Sequence, residues 1–361
     1  MRSVNGVFTR HRYLRWLAPA AVVGVVVVVA TGSLSAQAST NLPYRSAAQL
    51  LAALESSHVG GLSGTVVQKA ALGLPELPSV DTSGQTGGTL LGLLSGSHTA
   101  RVWYSGETKQ RVALLDSVGE TDIFRNGADV WSWSSSTRVA SHTILPAANS
   151  KTPETTTLTP DQLATRALAA ISPSTLVTTD SSREVAGRAA YELVLTPRDT
   201  SSRIGSVRIA VDGAKSVPLA VQVYARNDLS KPAMDVSFTE INFAVPDNSN
   251  FDWKPPSGAI VTQNSGTSKQ AGKAIAAASS SDEPSTIGSG WTSVLATHAK
   301  LPADSGNDSK LMAALTPVKG AWGTGRLFDS KLMTVLLTND GRVLAGAVDP
   351  SVLYAAAATY K

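Results

Sequence analysis

The chain has no cysteine. Disulfides, thiolate metal sites, cysteine nucleophiles and a lipidated N-terminal cysteine are excluded together. Histidine is scarce: His11, His58, His98, His142 and His298 are scattered, without the His-x-x-x-His or His-Glu-x-x-His spacing of a zinc site. A nucleophile elbow is missing, since Ser63 lies in Gly61-Leu62-Ser63-Gly64 and reads as a strand serine. Gly320-Ala321-Trp322-Gly323-Thr324-Gly325-Arg326 has the glycines of a phosphate loop without its Lys-Ser/Thr ending, and reads as a turn entering a strand. Asp116, Glu120 and Asp122 read as solvated turn carboxylates. Without a nucleophile, base and orienting group, the chain is not expected to be an enzyme, and no metal or cofactor is expected.

Acid is missing from residues 1–38, which hold Arg2, Arg10, Arg12 and Arg15. The remainder balances 27 basic against 27 acidic residues, so the basic character belongs to the leader and gives no argument for nucleic acid. An apolar run from Trp16 to Ala30 follows the arginines, and Ala36-Gln37-Ala38 is a small-residue cleavage site. Residues 1–38 therefore read as a secretory signal cleaved after Ala38. The stretch Leu17–Leu34 is also long enough to span a bilayer, so a retained signal anchor is the competing reading. Both readings place the bulk of the chain in the extracytoplasmic cell envelope, because the arginines stay inside.

What is present is alternation. Tyr191, Leu193 and Leu195 occupy odd positions; so do Val207, Ile209 and Val211, then Leu219, Val221 and Val223. Met234, Val236 and Phe238 repeat the pattern on even positions. Period two puts each set on one face of an antiparallel sheet, and Asp212-Gly213, Lys215–Pro218 and Asn227-Asp228 supply the turns of a meander within 187–261. Earlier strands are expected at Leu62–Gln68, Arg101–Tyr104 and Gln110–Leu115, with a hairpin at Asp122–Trp133 turning at Asn126-Gly127. Helices are expected at 44–58 and from Thr159-Pro160-Asp161 to Pro173. Residues 70–97 form an apolar loop carrying Leu90, Leu91, Leu93 and Leu94. Residues 263–290 lack aromatics and read as a flexible linker. Residues 291–361 read as a small C-terminal α/β module with strands Lys331–Thr338 and Arg342–Val348 and a terminal helix Ser351–Tyr360.

Five stretches, in this order, carry a resemblance: Leu62–Lys69, Arg101–Tyr104, Arg125–Trp133, Tyr191–Pro197 and Phe251–Gly258. They resemble the LolA-like bacterial lipoprotein-carrier family and its relative, the RseB (MucB) N-terminal domain, in its actinobacterial exported form. The resemblance covers roughly residues 44–261, within a domain of 39–262. It implies a mainly β, α+β fold: a curved, unclosed antiparallel half barrel covered by helices, whose inner face holds acyl chains. Where the carriers have a basic residue before a proline ahead of the second strand, this chain has Ser95-Gly96-Ser97, and the C-terminal module has no counterpart in the short carriers.

The expected site is that inner face. Parity makes Trp131 and Trp133 share a face, and Val112, Leu114, Leu193, Leu195, Val207, Ile209, Val211, Val221, Val223, Val236 and Phe238 are expected to share it with them. Leu90, Leu91, Leu93 and Leu94 are expected at its mouth. Whether the face is a filled core or a lipid cavity stays open at this point. The leading expectation is non-catalytic binding of a lipid or a lipoprotein acyl chain. The alternatives are an RseB-like regulator that holds an anti-sigma factor or other single-pass membrane protein, and a structural envelope protein with a filled core.

Overall fold

The structure, a computed structural model, describes residues 42–73, 95–116, 119–145, 173–264, 284–298 and 315–360. The leader, most of the apolar loop, the expected helix at 159–172 and linker residues 265–283 lie outside these.

Helix α1 (Ala47–Ser56) opens the described chain. It starts after Ser46, not at Tyr44, because Ser46 and Gln49 form a reciprocal cap: the Gln49 N–H donates to Ser46 Oγ at 3.3 Å, and the Ser46 N–H to Gln49 Oε1 at 2.9 Å. Six strands then run as a meander: β1 (Leu62–Ala71), β2 (Ser95–Tyr104), β3 (Lys109–Asp116), β4 (Gly119–Asn126), β5 (Asp129–Ser134) and β6 (Val139–Ile144). A second meander comprises β7 (Thr175–Val185), β8 (Arg188–Pro197), β9 (Ile204–Asp212), β10 (Pro218–Ala225) and β11 (Met234–Asn242). β12 (Ile260–Asn264) pairs parallel to β6; every other pairing is antiparallel. The twelve strands form one unclosed sheet in the order β12-β6-β5-β4-β3-β2-β1-β11-β10-β9-β8-β7, so the two meanders meet where β1 pairs with β11.

The tight turns follow local chemistry. Gly127 takes φ +65° in the two-residue turn between β4 and β5, the conformation only glycine enters freely. At the β7–β8 turn both loop residues, Ala186 and Gly187, have positive φ. β7 was not legible as a strand: its register shifts between Asp180 and Arg183, which breaks the alternation in midstrand.

A second, six-stranded antiparallel sheet is built from β13 (Ser285–Ile287), β14 (Val294–His298), β15 (Thr316–Gly320), β16 (Gly323–Asp329), β17 (Thr334–Thr338) and β18 (Arg342–Gly346), in the order β13-β14-β18-β17-β16-β15. Helix α2 (Pro350–Thr359) covers one face through Leu353, Ala356 and Ala357, against Val294, Ala296, Leu327, Leu336 and Leu344. Two ends of the expected linker are therefore ordered strand: Gln263 belongs to β12, and Ser285 begins β13, so the C-terminal unit starts before residue 291. The Gly320–Arg326 stretch is the β15–β16 hairpin.

The two sheets are docked. Trp291 is buried among Leu195, Ile204, Val207, Val223 and Met234, and its Nε1 donates to Thr175 Oγ1 at 2.7 Å. Backbone bonds add to this: Arg203 N–H to Ala347 O at 2.9 Å, Asp349 N–H to Ser201 O at 3.0 Å, and Lys331 N–H to Leu72 O at 2.9 Å.

Inside the second unit the Arg342 guanidinium donates to the carbonyls of Ala357, Tyr360 and Trp322, closing the C-terminal end of α2 where unpaired carbonyls collect. Arg342→Leu is expected to destabilise the protein by about 2–4 kcal/mol, read by denaturant unfolding, because these carbonyls are left without donors. The same guanidinium holds the Asp340 carboxyl down to about 2 against an ordinary 3.8; Thr338 assists and burial opposes. A depressed acid stabilises the native state fully above about pH 4 and loses that contribution as pH falls toward 2. Acid unfolding followed by fluorescence is expected to be shallower over that window in Asp340→Asn; an unchanged acid limb would show that this pair does not matter.

Candidate functional site

The ladders assign every strand residue to a face. Leu193, Ile209, Val221 and Val236 lie opposite one another in successive strands; so do Leu195, Val207, Val223 and Met234. Tyr191 lies opposite Val211, and Phe238 opposite Val66. Leu50 of α1 packs on Tyr191, Leu193 and Val211, with Leu51 and Leu54 beside it, so this is the α1 face. Over β7–β11 it is filled: Leu193, Leu195, Val207, Val211, Val223 and Phe238 are buried. Ile209, Val221 and Val236 are half-buried and join the same clusters, which Trp291, Ala347 and Leu332 complete from the second unit.

The packing thins at β1 and β2: Leu62 is buried beside Phe243, and Val102 and Tyr104 are half-buried against the same cluster. The Phe238 ring lies over Gly64, where a Cβ would come within 2.9 Å of two ring atoms and 2.5 Å of the Glu240 carbonyl oxygen. Only glycine lets the ring reach the sheet there.

Beyond that ring the α1 face continues in two apolar rows. Val66, Ala100, Leu114 and Thr121 lie opposite one another across β1–β4, and so do Gly64, Val102, Val112 and Ile123. None of these is buried, and Ile123 is 47% exposed. The buried residues of β2–β6 are Ala113, Asp122, Phe124 and Ala140, all on the opposite face. On this half of the sheet, among the described residues, the cover lies on the other side, and the α1 face presents half-exposed Val112 and Leu114.

The expectation for Trp131 and Trp133 is corrected by the same ladders. They do share a face, but Trp131 lies opposite Phe124 and Trp133 opposite Asp122, whereas Val112 lies opposite Ile123. Both tryptophans therefore turn away from Val112, Leu114 and the meander residues. Their face is covered by the chain after β11. Trp253 stacks on Phe124 at 5.0 Å and tilts against Trp131 and Trp133 at 5.6 and 5.8 Å. Trp131 also stacks on His142 at 4.2 Å, whose Nε2 meets Asp129 at 2.8 Å. The Arg111 guanidinium sits over Trp103 and Phe124 at 4.6 and 4.7 Å and pairs with Asp122 at 2.9 Å. Burial pushes the Asp122 carboxyl up to about 6; the Arg111 hydrogen bond opposes this and Glu120 adds to it. A raised acid works against the fold once ionised, so this group's contribution worsens as pH rises from about 4 through 6. This is a structural seam, a strap closed by Trp253. The sequence signal for it was Phe251-Asp252-Trp253, which the resemblance used but which was not assigned to a face.

Leu90, Leu91, Leu93 and Leu94 lie outside the described residues. Among the described residues no group of three or more His, Asp or Glu side chains is placed to hold a metal.

No family model matches the chain, and no curated protein does. Among solved structures it is similar to a chain of the Pseudomonas aeruginosa MucA/MucB complex, at 15% identity and TM-score 0.45, covering 86% of this chain and 96% of that one. A conserved protein of Thermus thermophilus gives 12% identity and TM-score 0.35, covering 60% of this chain and 98% of the other. A LolA-superfamily protein of Nitrosomonas europaea gives 12% identity and TM-score 0.23, covering 58% and 99%. The first and third are of the kinds that the sequence motifs resemble, and at such identities the likeness concerns the fold alone.

The filled and open halves respond differently to added bulk. Ile209→Trp, in the packed half, is expected to cost about 1–3 kcal/mol of stability. Leu114→Trp, in the open half, is expected to leave the unfolding midpoint nearly unchanged. Equal destabilisation at both positions would mean that the rows across β1–β4 are also filled core.

Proposed function

We propose that this chain is a non-catalytic, exported cell-envelope protein that holds an acyl chain, of a lipid or a lipoprotein, on the open half of its α1 face. One observation carries the reading: among the described residues every buried side chain of β2–β6 belongs to the strapped face, while Ala100, Val112, Leu114 and Ile123 form an apolar surface on the other, with Val102 packed beside Leu62 at its border. An apolar sheet surface of this kind marks a binding site more often than a solvated one. Burying an acyl chain there gains about 0.8 kcal/mol per CH₂, so affinity needs no array of polar groups. The basic, apolar, Ala-x-Ala leader of residues 1–38 supports the location.

A second reading has its own observation. The six-stranded sheet is covered by α2 on one face, while Leu295, Phe328, Val335, Leu337 and Val343 lie half-exposed or exposed on the other. An RseB-like hold on an anti-sigma factor, or another single-pass membrane protein, would use a surface of that sort.

Native mass spectrometry of the protein purified from its own host tests the first reading. A discrete lipid mass is expected to stay on the wild type and to be lost in Leu114→Trp. A bare protein that also fails to bind a fluorescent fatty acid would overturn the acyl reading. Co-purification of a single-pass membrane protein, lost on substituting Phe328, would favour the second.

A further inference from the structure

The open half of the α1 face has a polar end. One row beyond Val102, Val112 and Ile123, towards the β4–β5 turn, Tyr104, Gln110 and Arg125 lie opposite one another on β2, β3 and β4. Arg125 is the only side chain of formal charge on this face of β1–β6 among the described residues; that of Asp116, at the far end of β3, is not described. The opposite face, by contrast, carries Lys69, Arg101, Arg111, Glu120, Asp122 and Asp129.

Arg125 is held but not neutralised. Its Nε donates to the Gly127 carbonyl at 3.2 Å, which ties the side chain to the turn, and among the described residues no carboxylate pairs with it. Ile123, the most exposed of the apolar row residues, stands two positions before it on the same strand. Two residues of strand are about 7 Å. An acyl chain lying in the apolar rows would therefore place its head beside the Arg125 guanidinium.

The geometry points to a specific class of ligand for this face: an acyl lipid with an anionic head, a carboxylate or a phosphate, its head on Arg125 and its chain over Ile123, Val112 and Leu114. This rests on the acyl-binding reading and deepens it. The guanidinium supplies a fixed fork of donors matched to those oxygens, and bordering apolar surface strengthens the contact. Tyr104 packs beside Leu62 and Phe243, and the Gln110 amide donates to the Glu107 carbonyl at 3.4 Å, so Arg125 is what separates an anionic head from a neutral one.

The test compares oleate with oleyl alcohol, which share the chain and differ in head charge, as competitors for a fluorescent fatty acid at alkaline pH. Wild type is expected to favour oleate by about tenfold or more. Arg125→Gln is expected to abolish that preference and leave alcohol binding unchanged; Arg125→Lys is expected to restore part of it. Thermal unfolding checks that both variants are folded. An oleate preference that survives Arg125→Gln overturns the inference, as does equal binding of both probes by wild type. If neither probe binds wild type, or if Leu114→Trp leaves binding intact, the acyl site itself fails, and that failure is distinct from one confined to the head.

Discussion

The contact between Phe238 and Gly64 is the hinge of the architecture. β1 and β11 join two meanders into one sheet of twelve strands, and at that seam the Phe238 ring closes on a glycine. On one side of it the α1 face is closed by Leu50, Trp291 and their neighbours. On the other it opens onto Val66, Ala100 and Leu114. Any side chain at residue 64 would force the Phe238 ring and the Glu240 carbonyl to move.

A sheet has two faces, and one chain must supply the cover for both. The N-terminal helix and the second unit cover the α1 face over β7–β11. The strap carrying Phe251 and Trp253 covers the opposite face over β2–β6. The two covers are staggered along the sheet. Each half thus has a sealed face to supply folding energy, and the half whose α1 face is open does not depend on that face for its stability. An apolar, half-exposed surface can persist here because Ala113, Phe124 and Ala140 anchor β3, β4 and β6 from behind.

Much of this was legible from residue order. The alternation in Tyr191–Leu195, Val207–Val211, Val221–Val223 and Met234–Phe238 located four meander strands and their shared face, whereas Leu219 falls at the irregularity between Pro218 and Ala220 and packs with Ala210 and Phe243 instead. Trp131 and Trp133 went astray for a different reason. Parity within a strand says which residues share a face; relating strands needs register. Two-residue turns at β3–β4 and β4–β5 fix that register, with Asp116 opposite Gly119 and Asn126 opposite Asp129. Counting outward from the Asn126-Gly127 turn places Trp131 against Phe124, and counting from the previous turn places Ile123 against Val112. The information was present in turn lengths, not in hydrophobicity. β6 and β12 gave weaker signals. Val139 and Ala140 put apolar groups on both faces of β6, and Ile260 and Val261 of the edge strand β12 are exposed on both. The cover supplied by Trp291 could not be read at all, since it comes from a second unit far along the chain.

The division of labour on the open face follows from how the two kinds of contact scale. Apolar burial grows with chain length and does not distinguish one end of an acyl chain from the other. From Val66 to Ile123 the rows cross four strands, about 14 Å at the usual strand spacing. A chain could lie there in either direction with similar gain. One guanidinium at the β4–β5 end breaks that equivalence, because a charge–charge contact at a single place favours the orientation that brings the head to it. On the proposed reading, affinity would be set by Val112, Leu114, Ile123 and their neighbours, and direction by Arg125. A half-open surface would also limit how much of a bound acyl chain leaves water, which would keep such binding reversible.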